Sequence, residues 1–356
     1  MEQTAVEKKF GKYVMASMIT MFLQSAYSMI DGLFVSNLIG DTALSAVNVA
    51  WPVIAVVTAI GTGVGCGGAV MMSTKQGEGK NEESNIVRAN VILALLASSI
   101  VVTILFLILL TPLLKLMGAE GELLRLSQIY GRVMLTGGVL QILSCGLTPL
   151  LRNDNRAVSA MMIMVGGLFV NLGLDFVFMY VFHMGIGGAA GASLCAQLFT
   201  TVCCLMILCT KKTDPIRLSQ FMIRKEYWKK IFKTAVSPFG ISLTPSLLIL
   251  YHNVACLKFG GDLAVNAYAL ISSTVGSYRV LLIGVAEGIQ PLASYAYGAH
   301  DFHAIRKIRN KAVITAMGVS FFLFIFTIAT ARFYPAIYGY EGEAAEFGYH
   351  AVMVTA

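Results

Sequence analysis

The chain has 356 residues, 57% of them hydrophobic and only 13% charged, with a formal net charge of +7. Its mean hydropathy is +0.74 and its pI about 9.0. A soluble domain carries about 25% charged residues, so this composition excludes a soluble fold, and the positive surplus reads as membrane topology rather than a nucleic-acid footprint.

Apolar runs long enough to cross a bilayer predict helical spans over 13–35, 43–72, 86–110, 126–150, 158–182, 186–210, 231–256, 264–296 and 312–334. A tenth begins near 344 and is cut off at Ala356. Helices are expected because backbone polar groups must be satisfied within lipid. Val91–Leu110 lacks the alternation of a barrel strand. The N-terminal MEQTAVEKKFGKY has no cleavable signal architecture, so the first span is expected to stay. Seven cysteines sit inside apolar stretches with no CxxC spacing, which points to small buried hydrophobes rather than disulfides or a metal site.

Loop charge sets the expected orientation. Of the 26 Lys and Arg residues, twenty fall on the side that holds the N-terminus and four on the other. Lys75, Lys80, Arg88, Arg152 and Arg156 are among the twenty. Arg132 and Arg279 lie inside spans. The asymmetry places the N-terminus of this multi-pass membrane protein in the cytoplasm.

The chain repeats itself at a constant offset of 221. Gly40, Asp41, Ala43 and Ala46 match Gly261, Asp262, Ala264 and Ala267. Gly63, Val64, Gly67, Ser73 and Gly77 match Gly284, Val285, Gly288, Ser294 and Gly298. The fold class expected is therefore all-α integral membrane, a duplicated six-helix bundle with its halves parallel about an axis along the membrane normal. An N-lobe spans 1–210, a cytoplasmic linker 211–230, and a partial C-lobe 231–356. About ten of twelve helices are expected, because a full second copy would extend beyond Ala356.

Ionisable groups inside spans cost on the order of 2.5–3.5 kcal/mol to insert and mark candidate sites. Gln24, Tyr27, Ser28 and Asp31 follow i, i+3, i+4, i+7 spacing and form one polar stripe on the first span. Asp175 lies in the fifth span, with Asn171 one turn earlier on the same face. Asp31 and Asp175 come at similar depth. Two neighbouring carboxylates repel in a low dielectric, which suits a site that takes up a proton, or Na⁺ with the Asn171 oxygen as a further ligand. Glu287 lies toward the inner end of the eighth span, away from that pair. Arg279 is expected to pair with a carboxylate or carbonyl. His252 is the counterpart of Asp31 in the second half, with Asn253 beside it. Gln24, Tyr27, Ser28, His252, Asn253, Glu287 and Arg279 are the candidates for lining a substrate cavity. Gly63–Gly68 contains GxGxxG, but no strand precedes it and the glycines lie within a span, so close helix packing is the reading.

At the stretches YSMIDGLFVSNLIGDTALSAVNVAWP, NLGLD, FGGDLAVNAYA and IGVAEGIQPLASYAYGAHD the sequence resembles the multidrug and toxic compound extrusion (MATE) family, nearest the DNA-damage-inducible F-like and MepA-like branch. The resemblance covers essentially the whole chain. It implies twelve helices in two lobes around a central cavity, and efflux of organic cations driven by entry of H⁺ or Na⁺. It also implies a cation site made by Asp31, Asn171 and Asp175. A threonine common in the sixth span of the family is not matched in Gly191–Ala196.

The expected function is antiport of small amphipathic, cationic substrates against H⁺ or Na⁺, by alternating access and as a monomer, with membrane lipid as the only other partner. No cofactor, nucleic acid or enzymatic activity is expected. HExxH, GxSxG and clustered His/Cys sets do not occur. The alternative is a flippase for lipid-linked oligosaccharides, which needs several cations in the cavity to hold a diphosphate.

Overall fold

The computed structural model describes residues 3–210 and 220–332, together with Glu346, Tyr349, His350, Val352 and Met353. Some side chains inside helices lie outside that description, among them Tyr27, Ser28 and Asn253. Among the described residues the regular elements are all helical: α1 (Gln3–Ile39), α2 (Asp41–Gly77), α3 (Asn81–Leu116), α4 (Gly121–Thr136), α5 (Gly138–Asn153), α6 (Ala157–Asp175), a π-helical segment (Phe176–Val181), α7 (Gly185–Cys209), α8 (Lys225–Gly298) and α9 (Phe302–Thr330). Six helices are long and apolar enough to cross a membrane, and α4 with α5 forms a seventh, bent candidate.

Local chemistry places the ends. Gly40 takes φ 112° between α1 and α2, a conformation that side chains beyond glycine rarely adopt. α3 opens with Glu82 and Glu83 and ends with Lys115, so both termini complement the helix dipole. The Asp301 side chain accepts from the Ala304 N–H at 2.9 Å and caps α9. Near the end of α2, Ser73 donates to the Asn153 carbonyl and Gln76 to Asp154, at the end of α5, so the turns bearing Lys75, Lys80 and Arg152 gather at one end of the bundle, the basic end.

A straight 74-residue α8 would measure about 110 Å. Early in α8, Ala235 packs on Gly67 of α2, and late in α8, Tyr295 packs on Gly77. Those two α2 positions are ten residues, or about 15 Å, apart. The helical run therefore doubles back between 239 and 284, and it supplies two antiparallel rods, as the separate spans 231–256 and 264–296 anticipate.

The halves meet through contacts that come in symmetric pairs. Gly63 packs on Phe239, and Gly284 on Met18. Gly67 packs on Ala235, and Gly288 on Val14. Gly77 packs on Tyr295, and Gly298 on Thr74. Each pair is the other shifted by the 221-residue offset. This is the isologous contact of a two-fold dimer, made within one chain. A methyl group at Gly298 would lie 2.0 Å from the Thr74 carbonyl oxygen, so the approach is backbone to backbone. Further along α8, Gly240 and Gly276 have open space around them.

Three sequence expectations change. The span 126–150 is broken into α4 and α5, which meet at 58°, because Gly137 and Gly138 let Leu194 and Thr103 press into the joint. The linker is shorter than 211–230, because α8 already begins at Lys225; residues 211–219 lie outside the described residues. Arg88 and Arg152, read as loop charges, are buried. Arg88 lies 3.6 Å from Asp154 and donates to Asn85 and to the Leu208 carbonyl. Of the tenth span, only five residues fall within the description.

Candidate functional site

α1 and α6 pack side by side and bring Asp31 and Asp175 together, with the two carboxyl groups in side-chain contact. Asp175 is 0% exposed and Asn171 4%. Asn171 Nδ2 donates to Asp175 Oδ2 at 2.9 Å, one helical turn apart on the same face. Asp31 Oδ1 and Asp175 Oδ1 are buried with no hydrogen-bond partner among the described residues. The two acids share one site, with Asp175 buried and Asp31 half-buried, and each keeps an oxygen that makes no hydrogen bond among the described residues. The α-helix changes to a π-helical turn directly after Asp175, and Phe182 N–H bonds the Val177 carbonyl at 2.9 Å. Such wide turns occur often at functional sites, where they re-aim the preceding side chains.

Tyr130 of α4 is the neighbour that sequence reasoning missed. It is buried and lies within electrostatic reach of both Asp31 and Asp175. Its equivalent in the second half is Ala351, so the duplication gave no hint of a polar role.

Gln24 is exposed, and the side chains of Tyr27, Ser28 and Asn253 lie outside the described residues. His252 is exposed, its Nδ1 2.8 Å from the Leu248 carbonyl and its ring stacked on Tyr268 at 5.0 Å. Glu287 does not line that site. It accepts a hydrogen bond from Arg152 across the two halves, so it is spent in an ion pair at the basic end. Arg279 is half-buried, and no ion pair to it is seen among the described residues, which leaves the expected carboxylate or carbonyl partner open.

The MatE family model matches residues 16–177 and 241–356. The chain belongs to the MatE family. The multidrug export protein MepA of Staphylococcus aureus (strain N315) is 24% identical to this MatE chain over 331 residues, which cover 92% of the chain and 72% of the relative. MepA of Staphylococcus saprophyticus is 24% identical over 298 residues, covering 83% and 66%. The chain thus spans about two thirds of that relative's length. A crystal structure of a MATE protein in the bent conformation superposes with a TM-score of 0.89 at 24% identity, covering 98% of this chain and 77% of the other. An outward-facing multidrug resistance MATE transporter gives 0.90 at 25% identity over 98% and 77%. A MOP superfamily transporter from Pyrococcus furiosus, described as having reversed binding-pocket polarity, gives the same values.

Proposed function

We propose that this MatE chain is a multidrug efflux transporter of the cytoplasmic membrane, and that it exports small amphipathic cations in exchange for H⁺ or Na⁺. The carrying observation is the Asp31–Asp175 contact, with Asn171 bonded to Asp175. Protonation of one carboxyl removes the repulsion between them, and so does Na⁺ held by both carboxylates and the Asn171 oxygen. A site that changes charge in this way can bias two arrangements of the halves, which is what ion-coupled transport needs. The basic end is the cytoplasmic face under the charge asymmetry. The halves touch there through Gly77 and Gly298, while Gly240 and Gly276 face open space, an arrangement that fits a cavity open to the outside.

The flippase reading has less support. Arg88 and Arg152 are committed to Asp154 and Glu287, and Arg132 is exposed on the outside of α4. That leaves Arg279 as the remaining cation for a diphosphate among the in-span candidates.

The test is uptake of a fluorescent organic cation into inside-out vesicles, with pH and Na⁺ gradients imposed separately. Gradient-dependent accumulation that Asp31→Asn and Asp175→Asn abolish is expected. Uphill uptake at the wild-type rate in both variants rejects the coupling site.

A further inference from the structure

The joint between α4 and α5 is a built feature that the proposed function does not use. Thr136, Gly137 and Gly138 break the helix at 58°, and Gly137 sits at φ −89°, ψ 13° between the two pieces. A broken helix leaves carbonyls of its last turn without intrahelical donors. One of these, Met134, is met by a side chain from beyond the break: Gln141 Nε2 donates to the Met134 carbonyl at 2.5 Å. Gln141 is 0% exposed, and its Oε1 has no hydrogen-bond partner among the described residues. A buried amide oxygen left without a partner costs free energy, and Gln141 is held in place by its one bond to Met134 and by the packing around it. Met134 lies one turn after Tyr130 on the same face of α4, and both are buried.

We infer that Gln141 is a positioning residue for the Asp31–Asn171–Asp175 site: it ties α5 to the last turn of α4 and so sets where Tyr130 stands beside the two carboxylates. The inference rests on the reading of that trio as the coupling site. α5 also carries Arg152 at its far end, bonded to Glu287 of the second half. The same joint therefore links the carboxylate site to the contact between the halves. Around it, Thr103 of α3 lies against Gly138 and Leu194 of α7 against Gly137. Neither of these two neighbours ionises; the titratable groups one turn from Met134 and Gln141 are Tyr130 on α4 and Cys145 on α5.

The test is a double-mutant cycle on the whole chain in lipid vesicles. It reads the infrared band of protonated carboxyl groups as pH is varied. Gln141→Met keeps the length and removes the donor; Tyr130→Phe removes the hydroxyl. Each is expected to move the titration midpoint by about one pH unit, tenfold in proton affinity. The double variant is expected to move it no further than the larger single shift, because both act through one group. An unmoved midpoint in Gln141→Met, or shifts that add, overturns the inference. If Gln141→Met does not fold, Gln141→Leu, which also lacks the donor, takes its place in the cycle. Asp31→Asn and Asp175→Asn serve as the separate control. A band that both leave intact rejects the coupling site, whereas a band they remove and Gln141→Met does not shift rejects only the role of Gln141.

Discussion

Arg152 of the first half donates a hydrogen bond to Glu287 of the second, and Glu287 stands at the position equivalent to Cys66. The fold brings these equivalents together as well, because the Cys66 thiol lies within electrostatic reach of both Glu287 and Arg152. A two-fold contact places equivalent residues near its axis. One copy has a carboxylate there and the other a small thiol, and among the described residues one ion pair, Arg152–Glu287, crosses the junction. Asn153, next to Arg152, accepts from Ser73 on its carbonyl and from Ser294 on its side chain, and those serines are themselves equivalents. Two matching hydroxyls thus converge on one residue.

Glu287→Gln should leave Arg152, 7% exposed at its side chain, without a counter-charge. Breaking a buried pair by removing one partner costs about 3–5 kcal/mol. Glu287 keeps 23% side-chain exposure, so the expected loss is nearer about 2 kcal/mol after solvent screening. Thermal unfolding in detergent measures it. The charge-reversed pair Arg152→Glu/Glu287→Arg should recover part of the loss. A reversed pair less stable than both single variants would count against a direct interaction.

Gly298→Val should push α8 away from α2. The first added carbon would meet the Thr74 carbonyl at 2.0 Å, and rigid backbone does not yield as a flexible side chain does. Overpacking of this kind costs about 1–3 kcal/mol or more. Gly240→Ala, with open space around it, is the matched control and should be near neutral or slightly stabilising through the helix propensity of alanine. Amide exchange over 70–77 should rise in the first variant and stay unchanged in the second.

Arg88→Leu should be the more damaging change within the first half. Arg88 and Asp154 have 1% and 0% side-chain exposure, and Gln76 also donates to Asp154 at 3.1 Å. Removing the cation leaves a buried carboxylate and an unsatisfied Leu208 carbonyl at the end of α7. A loss of about 3–5 kcal/mol is expected, and Arg88→Leu/Asp154→Leu should be less destabilised than Arg88→Leu alone. The unfolding midpoint in denaturant decides between these outcomes.

Glu78, in the turn between α2 and α3, gives a pH prediction. Its hydrogen bond to Lys75, joined by one to Lys80, holds the carboxyl at about 2, down from 4.5. The folded value is depressed, so the stabilisation is complete above the unfolded value and is lost as pH falls from about 4.5 toward about 2. The group is solvent-exposed, so the effect is small and weakens with salt. The difference in melting temperature between the wild type and Glu78→Gln should shrink across that window and be smaller at high ionic strength. A constant difference would show that the carboxylate charge is not involved.

Much of the architecture could be read from residue order alone. Helices crossing a membrane follow from apolar length and the need to satisfy the backbone in lipid. The duplication follows from one offset that recurs from Gly40 to Gly77, and the pairing of Asp31 with Asp175 from helix direction and depth. These are properties of single helices, set by local periodicity and by distance along the chain. The tertiary structure alone decided the rest. Arg88 and Arg152 look like any other basic loop residues until a partner 66 or 135 positions away, Asp154 or Glu287, is seen against them. Tyr130 and Gln141 carry no pattern in the sequence, because their roles depend on the rotation of α4 and on a break whose angle is set by Thr103 and Leu194 from other helices. A residue's depth is written along its own helix, whereas the neighbour it faces is chosen by how separate helices pack.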